Sequence, residues 1–161
     1  MQIRQATLAD AEIVGRLICD VQQLHADALP HLFKPADDPA LFVADCRERI
    51  LVNPDGWVFV VEDDGEAIGY VYAHVSERPE NAYTYARRMI HIDQISVKPD
   101  YQGGGYGRAL INAVFDLARR EGVERVTLGT LGFNTQAQGF FRKMGFDVFT
   151  YQMDVYLKEE L

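Results

Sequence analysis

Cysteine is scarce in this 161-residue chain: Cys19 and Cys46 are the only two, and they form no CxxC pair. They fall in separate helical patterns, so free thiols in a reducing cytosol are expected rather than a disulfide. Long apolar runs are missing, and none approaches the roughly 20 residues of a membrane span. Met1-Gln2-Ile3-Arg4-Gln5 lacks the apolar centre of a signal peptide, so the expectation is a cytoplasmic protein away from membrane. Basic residues are outnumbered 24 to 16, for a formal charge of −8. A field of that sign disfavours nucleic acid and anionic lipid and mildly favours cationic ligands such as amines, although it would serve equally for solubility alone. The four histidines, His25, His31, His74 and His91, have no metal-ligand spacing among themselves or with the cysteines, so no metal is expected. No Gly-Lys-Ser or Gly-Lys-Thr occurs, which excludes a P-loop, and no G-x-G-x-x-G is completed, which excludes the dinucleotide fingerprint.

What is present reads as one domain over residues 1–161, with 48% hydrophobic and 25% charged residues. Ile3 to Ala6 predicts a short edge strand, and Thr7 or Asp10 can cap the helix after it. Val14, Leu17, Ile18, Val21 and Leu24 recur on one helical face. Pro30, Pro35 and Pro39 make His25 to Pro39 a loop, and Phe42, Cys46 and Ile50 mark a second helix from Pro39 to Val52. Trp57 to Val61, an Asp63-Asp64-Gly65 turn and Ala67 to Val75 predict a hairpin. A polar loop from Glu77 to Arg87 leads into a fourth strand, Met89 to Val97. Ala109, Leu110, Ala113, Val114, Leu117 and Ala118 then give the clearest amphipathic helix, stopped at Gly122. A strand from Arg125 to Leu131, a short helix from Asn134 and one or two strands between Phe146 and Leu157 complete the chain. Strands and helices mix without strict βαβ alternation, which predicts an α/β domain with a mixed sheet.

The chain is organised around His91-Ile92-Asp93-Gln94-Ile95-Ser96-Val97-Lys98-Pro99-Asp100-Tyr101-Gln102-Gly103-Gly104-Gly105-Tyr106-Gly107-Arg108. A strand runs into a glycine turn and then a helix start. Glycines let backbone N–H groups approach a ligand closely, and the first helical turn adds free donors and the positive end of its dipole. Together these make an anion site, most simply for phosphate. A glycine turn without a ligand is the bland alternative.

The run Gln102-Gly103-Gly104-Gly105-Tyr106-Gly107 spells Q-x-x-G-x-G, which resembles the acetyl-CoA pyrophosphate loop of the GNAT superfamily of N-acetyltransferases. Downstream, Asn134-x-x-Ala137-x-x-Phe140-Phe141-x-x-x-Gly145-Phe146 resembles the second signature of that family, and the element order matches along the whole chain. The resemblance implies a mixed, mostly antiparallel sheet splayed between strands four and five, with flanking helices. It implies direct transfer of the acetyl group of acetyl-CoA to an amine in a ternary complex. Gln102, Gly103, Gly104, Gly105, Tyr106, Gly107 and Arg108 would bind the pyrophosphate. Ile95, Ser96 and Val97 would present strand-four backbone to the pantetheine arm. The Ile95 N–H would face the thioester oxygen, a role worth on the order of 3 kcal/mol in other enzymes. Asn134 would bond the arm or the substrate, or simply cap its helix, and Phe141 would pack against the arm.

Acetyl transfer needs a base, since amines are protonated near neutral pH. The position eleven residues before the loop glutamine, often glutamate in the family, is His91 here. An imidazole with a pKa near 6.5 suits the task, and Asp93 shares its face of the strand and could orient it, hold the ammonium or act as the base itself. The chain departs from the family at Phe141, which stands where the usual tyrosine acid would be. Tyr83, Tyr85, Tyr101, Tyr106 or Tyr151 could substitute, or solvent could serve. The same departure would suit an acetyl-CoA-binding sensor without turnover. The resemblance implies a small-molecule or peptide amine as acceptor: the segment from His25 to Pro35 would wall its pocket, and Arg87 and Arg88 would suit an acceptor bearing a carboxylate or phosphate. A homodimer fits the family but is not visible in the sequence.

Overall fold

The computed structural model describes residues 1–157. It comprises two compact units, Met1–Gly129 and Thr130–Leu161. The first holds a five-stranded sheet in sequential order, β1 (Gln2–Gln5), β2 (Gly56–Asp63), β3 (Glu66–Arg78), β4 (Arg87–Val97) and β5 (Val126–Leu128). Neighbours run antiparallel except β4 and β5, which are parallel, so the α/β class and the mixed sheet are as expected. Asp64 and Gly65 turn β2 into β3 at φ of 47° and 82°, because a two-residue hairpin needs positive φ at both central positions.

Helices cover both faces of this sheet. From α1 (Ala11–Ala28) and α2 (Pro39–Asp45) with the turn that follows, Val14, Leu17, Ile18, Cys46 and Ile50 pack onto Val58, Val60, Tyr70 and Tyr72. Strand side chains alternate between faces, so Val71 and Ala73 lie opposite, where α3 (Tyr106–Arg120) buries Leu110, Ile111, Val114 and Leu117 against the sheet. The strand cores are hydrophobic on both sides as a result. Cys19 and Cys46 are free thiols, and burial pushes Cys46 up to about 11.

Several boundaries differ from the sequence reading. The first helix does not stop before His25 but runs to Ala28, where Leu29 N–H still reaches His25 O at 2.8 Å; Pro30, two residues on, is the breaker. The second helix widens into one π-type turn over Cys46–Ile50, with Leu51 N–H bonded to Cys46 O. β3 and β4 continue to Arg78 and Arg87, because main-chain pairing does not require apolar side chains. β5 is three residues, shorter than the expected Arg125 to Leu131.

The second unit contains α4 (Thr135–Lys143), capped by Asn134, whose Oδ1 accepts from Ala137 N–H at 3.0 Å. The strand or strands expected between Phe146 and Leu157 are absent among the described residues. Alternating side chains can line a buried face, but a strand exists only where a second backbone pairs with it. Here Phe149, Tyr151, Met153, Val155 and Leu157 are largely exposed.

Candidate active site

A single inserted residue shapes β4. Across β3, Ala73 stands opposite Ile92 and Tyr72 opposite Gln94, leaving Asp93 unpaired as a β-bulge. Before the bulge β4 is paired on both edges: Ile90, His91 and Ile92 lie beside Val126, Thr127 and Leu128 of β5. Beyond it, among the described residues, pairing continues only with β3. Lys98 N–H donates to Ile68 O, so residues 96 and 98 turn their backbone groups towards β3. By the alternation of the strand, Ile95 and Val97 present theirs to the open edge, and Ser96 faces the ladder opposite Tyr70. Val97 O already accepts from Gln102 Nε2 at 3.1 Å, tying the loop to the strand.

The loop then forms a short 3-10 turn, Pro99–Tyr101, and bends through Gly103 and Gly105 at φ of 85° and 87° into α3. A side chain on Gly104 would stand 2.6 Å from the Tyr106 ring. The first bond into the helix runs from Ala109 N–H to Gly105 O, so the N–H groups of Tyr106, Gly107 and Arg108 precede any intrahelical acceptor. Two left-handed residues followed by a helix start turn successive backbone N–H groups the same way, a geometry that suits an anion. Tyr106 OH donates to Asp63 at 2.8 Å, which anchors the helix start to the end of β2 and raises the phenol pKa.

On the α1 and α2 side of the sheet, a cleft of about 460 Å³ is lined by His74, Ser76 and Arg78 of β3 and by Arg87, Met89, His91 and Asp93 of β4. The ladder sets Arg78 opposite Arg87, Ser76 opposite Met89 and His74 opposite His91. His91 and Asp93 therefore open onto one cavity, as their spacing implied. Asp93 is exposed and His91 half-buried. The His91 Nδ1 lies 3.0 Å from Thr127 Oγ1, which leaves Nε2 for a reacting group. Its ring meets His74 edge-on at 5.5 Å. Burial, followed by the neighbouring His74, lowers the His91 pKa below 6.5, and Asp93 offsets part of that effect. The imidazole is thus mostly neutral at pH 7.

His74 and Thr127 were not singled out from the sequence. Each becomes significant only through strand register, and no local pattern encodes which residue lies across from His91. Of the tyrosines weighed as acids, Tyr106 is committed to Asp63, and Tyr83 and Tyr85 are exposed. Tyr101 stands edge-on to Tyr106 at 5.9 Å. In the second unit, Phe141 packs between Phe140 and Phe146, with ring centroids 5.3 and 5.9 Å away. Tyr151 is exposed.

Comparison with known proteins gives a consistent family. Residues 18–146 match the model of the acetyltransferase (GNAT) family. The chain is similar to mycothiol acetyltransferase of Saccharomonospora viridis, 33% identical over 104 residues, which is 64% of this chain and 33% of that one. It spans about a third of the length of the mycothiol acetyltransferases it matches. Its fold superposes on the BH1408 protein of Bacillus halodurans with a TM-score of 0.85 and 25% identity, covering 98% of this chain and 100% of that one. It also superposes on the aminoglycoside N-acetyltransferase AAC(6')-Iy in complex with CoA, with a TM-score of 0.75 and 23% identity over 98% of this chain and 94% of that one. The open β4 edge, the glycine loop and these likenesses agree, and the chain belongs to the acetyltransferase (GNAT) family, whose acetyl donor is acetyl-CoA.

Proposed function

We propose that this chain transfers the acetyl group of acetyl-CoA to a primary amine of a small molecule, or to a peptide amine, by direct attack in a ternary complex. The observation that carries this reading is the juxtaposition of a half-open β4 with His91 and Asp93 in one cleft on the same strand. Backbone donors from Gln102 to Arg108 hold the pyrophosphate, and Ile95 and Val97 pair with the pantetheine arm. The Ile95 N–H stabilises the developing oxyanion. His91 Nε2 takes the proton of the incoming ammonium, directly or through water, while Thr127 holds the ring by Nδ1. Asp93, exposed at the bulge, draws the cationic acceptor in. The free amine nitrogen then bonds to the thioester carbon, the C–S bond breaks, the nitrogen releases its second proton to solvent, and the CoA thiolate takes a proton from solvent. A thiol pKa around 8.5 makes that last step accessible without a dedicated acid.

The test is thiol release from acetyl-CoA with a panel of amines, together with melting temperature in CoA, acetyl-CoA and ATP. Amine-dependent release and stabilisation by the two CoA species are expected. CoA binding without amine-dependent release would instead indicate a sensor, and stabilisation by ATP alone would remove the family's donor from the loop. Replacing His91 with alanine should cost on the order of a hundredfold at pH 7 and less at pH 9, where free amine is abundant. An equal loss at both would take the base role from His91.

A further inference from the structure

The far end of the cleft holds an arrangement that acetyl transfer does not itself require. Arg78 and Arg87 are directly opposite each other on the β3–β4 ladder, and both line the cleft. Like charges in directly opposed strand positions repel. The chain has 24 acidic residues against 16 basic ones, yet among the described residues neither of these arginines has a carboxylate partner. The adjacent Arg88 shows the ordinary solution, donating to Glu77 Oε1 at 3.0 Å and to Glu121 O at 2.8 Å. Arg87 differs: among the described residues its Nε is buried without a hydrogen-bond partner, as is His74 Nδ1 in the same cleft. A buried donor left unmade is costly, and the unpartnered Arg87 Nε, with a second unpartnered ring nitrogen on His74 in the same cavity, points to a ligand that hydrogen-bonds there.

We propose that the acceptor is an amine that also carries an oxyanion, and that Arg87, with Arg78 across the ladder, anchors that anion. The inference rests on the acetyl-transfer reading for the fate of the amine, but not for the anchor itself. Guanidinium groups recognise carboxylate or phosphate through parallel N–H donors. Asp93 lies six residues from Arg87 along β4, at the opposite end of the cleft, so the cavity is cationic at one end and anionic at the other. An acceptor with a positive amine and a negative group would lie along the strand in one direction only. His91, four residues from Arg87 and about 13 Å away along the backbone, would meet the amine end. The arginine stems close part of that span, which favours an anion several bonds from the amine over one on the adjacent carbon. Ser76 and Met89 fill the rung between and would contact the connecting chain.

The experiment pairs ω-aminocarboxylates from glycine to 6-aminohexanoate with alkylamines of equal length, and adds O-phosphoethanolamine as a phosphate arm. Binding is measured by calorimetry with CoA present, and turnover with acetyl-CoA. The longer aminocarboxylates should bind at least tenfold more tightly than matched alkylamines; if only the phosphate compound shows the advantage, the anchored group is a phosphate. In Arg87→Gln the ratio of the two affinities should collapse at least tenfold, Arg78→Gln should move it the same way, and Arg87→Lys should restore part of it. Melting temperature checks that each variant is folded. Equal affinity for charged and uncharged partners in the unaltered protein, or a ratio unmoved in both glutamine variants, overturns the anchor. Anion-dependent binding without acetylation would sustain the anchor and sink the transfer, whereas acetylation of alkylamines with no anion preference would do the reverse.

Discussion

At the scale of single residues, the proposed base is a histidine whose ring is held from behind. Thr127 on β5 occupies His91 Nδ1, and the surrounding burial keeps the imidazole neutral. The hydrogen bond is worth about 0.5–1.5 kcal/mol, roughly two- to twelvefold in rate if it fixes the ring for proton transfer. Thr127→Val, which keeps the shape, should lower kcat/KM by that factor and shift the acid limb of the pH profile; Thr127→Ser should restore both. A profile unchanged in the valine variant would show that the bond does not position the base. The family resemblance pointed to His91, the strand period put Asp93 on the same face, and Arg87 stood out by its charge. Thr127 was not legible, because the parallel register between β4 and β5 joins segments distant in the chain and has no local signature.

At the scale of elements, two devices give the strand its open edge. The unpaired Asp93 changes which backbone groups face outward, and β5 ends after Leu128, before it could pair with residues 93–97. The glycine loop completes the arrangement at the end of the strand. Gly105 sits at φ 87° with nothing near a built Cβ, so the constraint on it is conformational and not one of space. Gly105→Ala should therefore cost about 1–2 kcal/mol of stability or relax the loop. The expected outcome is a melting temperature lower by several degrees and a raised KM for acetyl-CoA, with kcat for a given amine much less affected. If KM for the donor is unchanged, the loop does not bind it. The glycine pattern and the helix after it were plain in the sequence. The bulge was not, since Asp93 looks like any polar residue in an alternating strand.

At the scale of the whole molecule, titration links the fold to pH in two windows. His91 and His25 both have folded pKa values lowered by burial, so the unfolded chain binds more protons near and below pH 6.5. Their contribution is intact above that value and is lost as the pH falls through it. Asp10 acts in the same direction at lower pH: the Arg4 hydrogen bond is the main reason its pKa falls to about 2 from 3.8, and Arg4 also reaches Glu62 at 2.8 Å. Stability from Asp10 is present above 3.8 and disappears towards pH 2. Melting temperature should decline modestly between pH 7 and 5.5, and then steeply below 4. Arg4→Met should flatten the lower step and leave the upper one; a variant that retains both would refute the link between β1, β2 and the start of α1.

The sequence by itself determined the helix faces, the β2–β3 hairpin, the glycine loop and the family signature, because each is written in contiguous spacing that local backbone geometry reads directly. It misjudged residues 146–157, where apolar alternation resembles a strand but pairing depends on a partner backbone. Only the tertiary structure decided that His74, Thr127 and two facing arginines share surroundings with His91. Those neighbours come from register between distant segments, which is set by how the sheet packs between its helices and not by any residue's immediate neighbours in the chain.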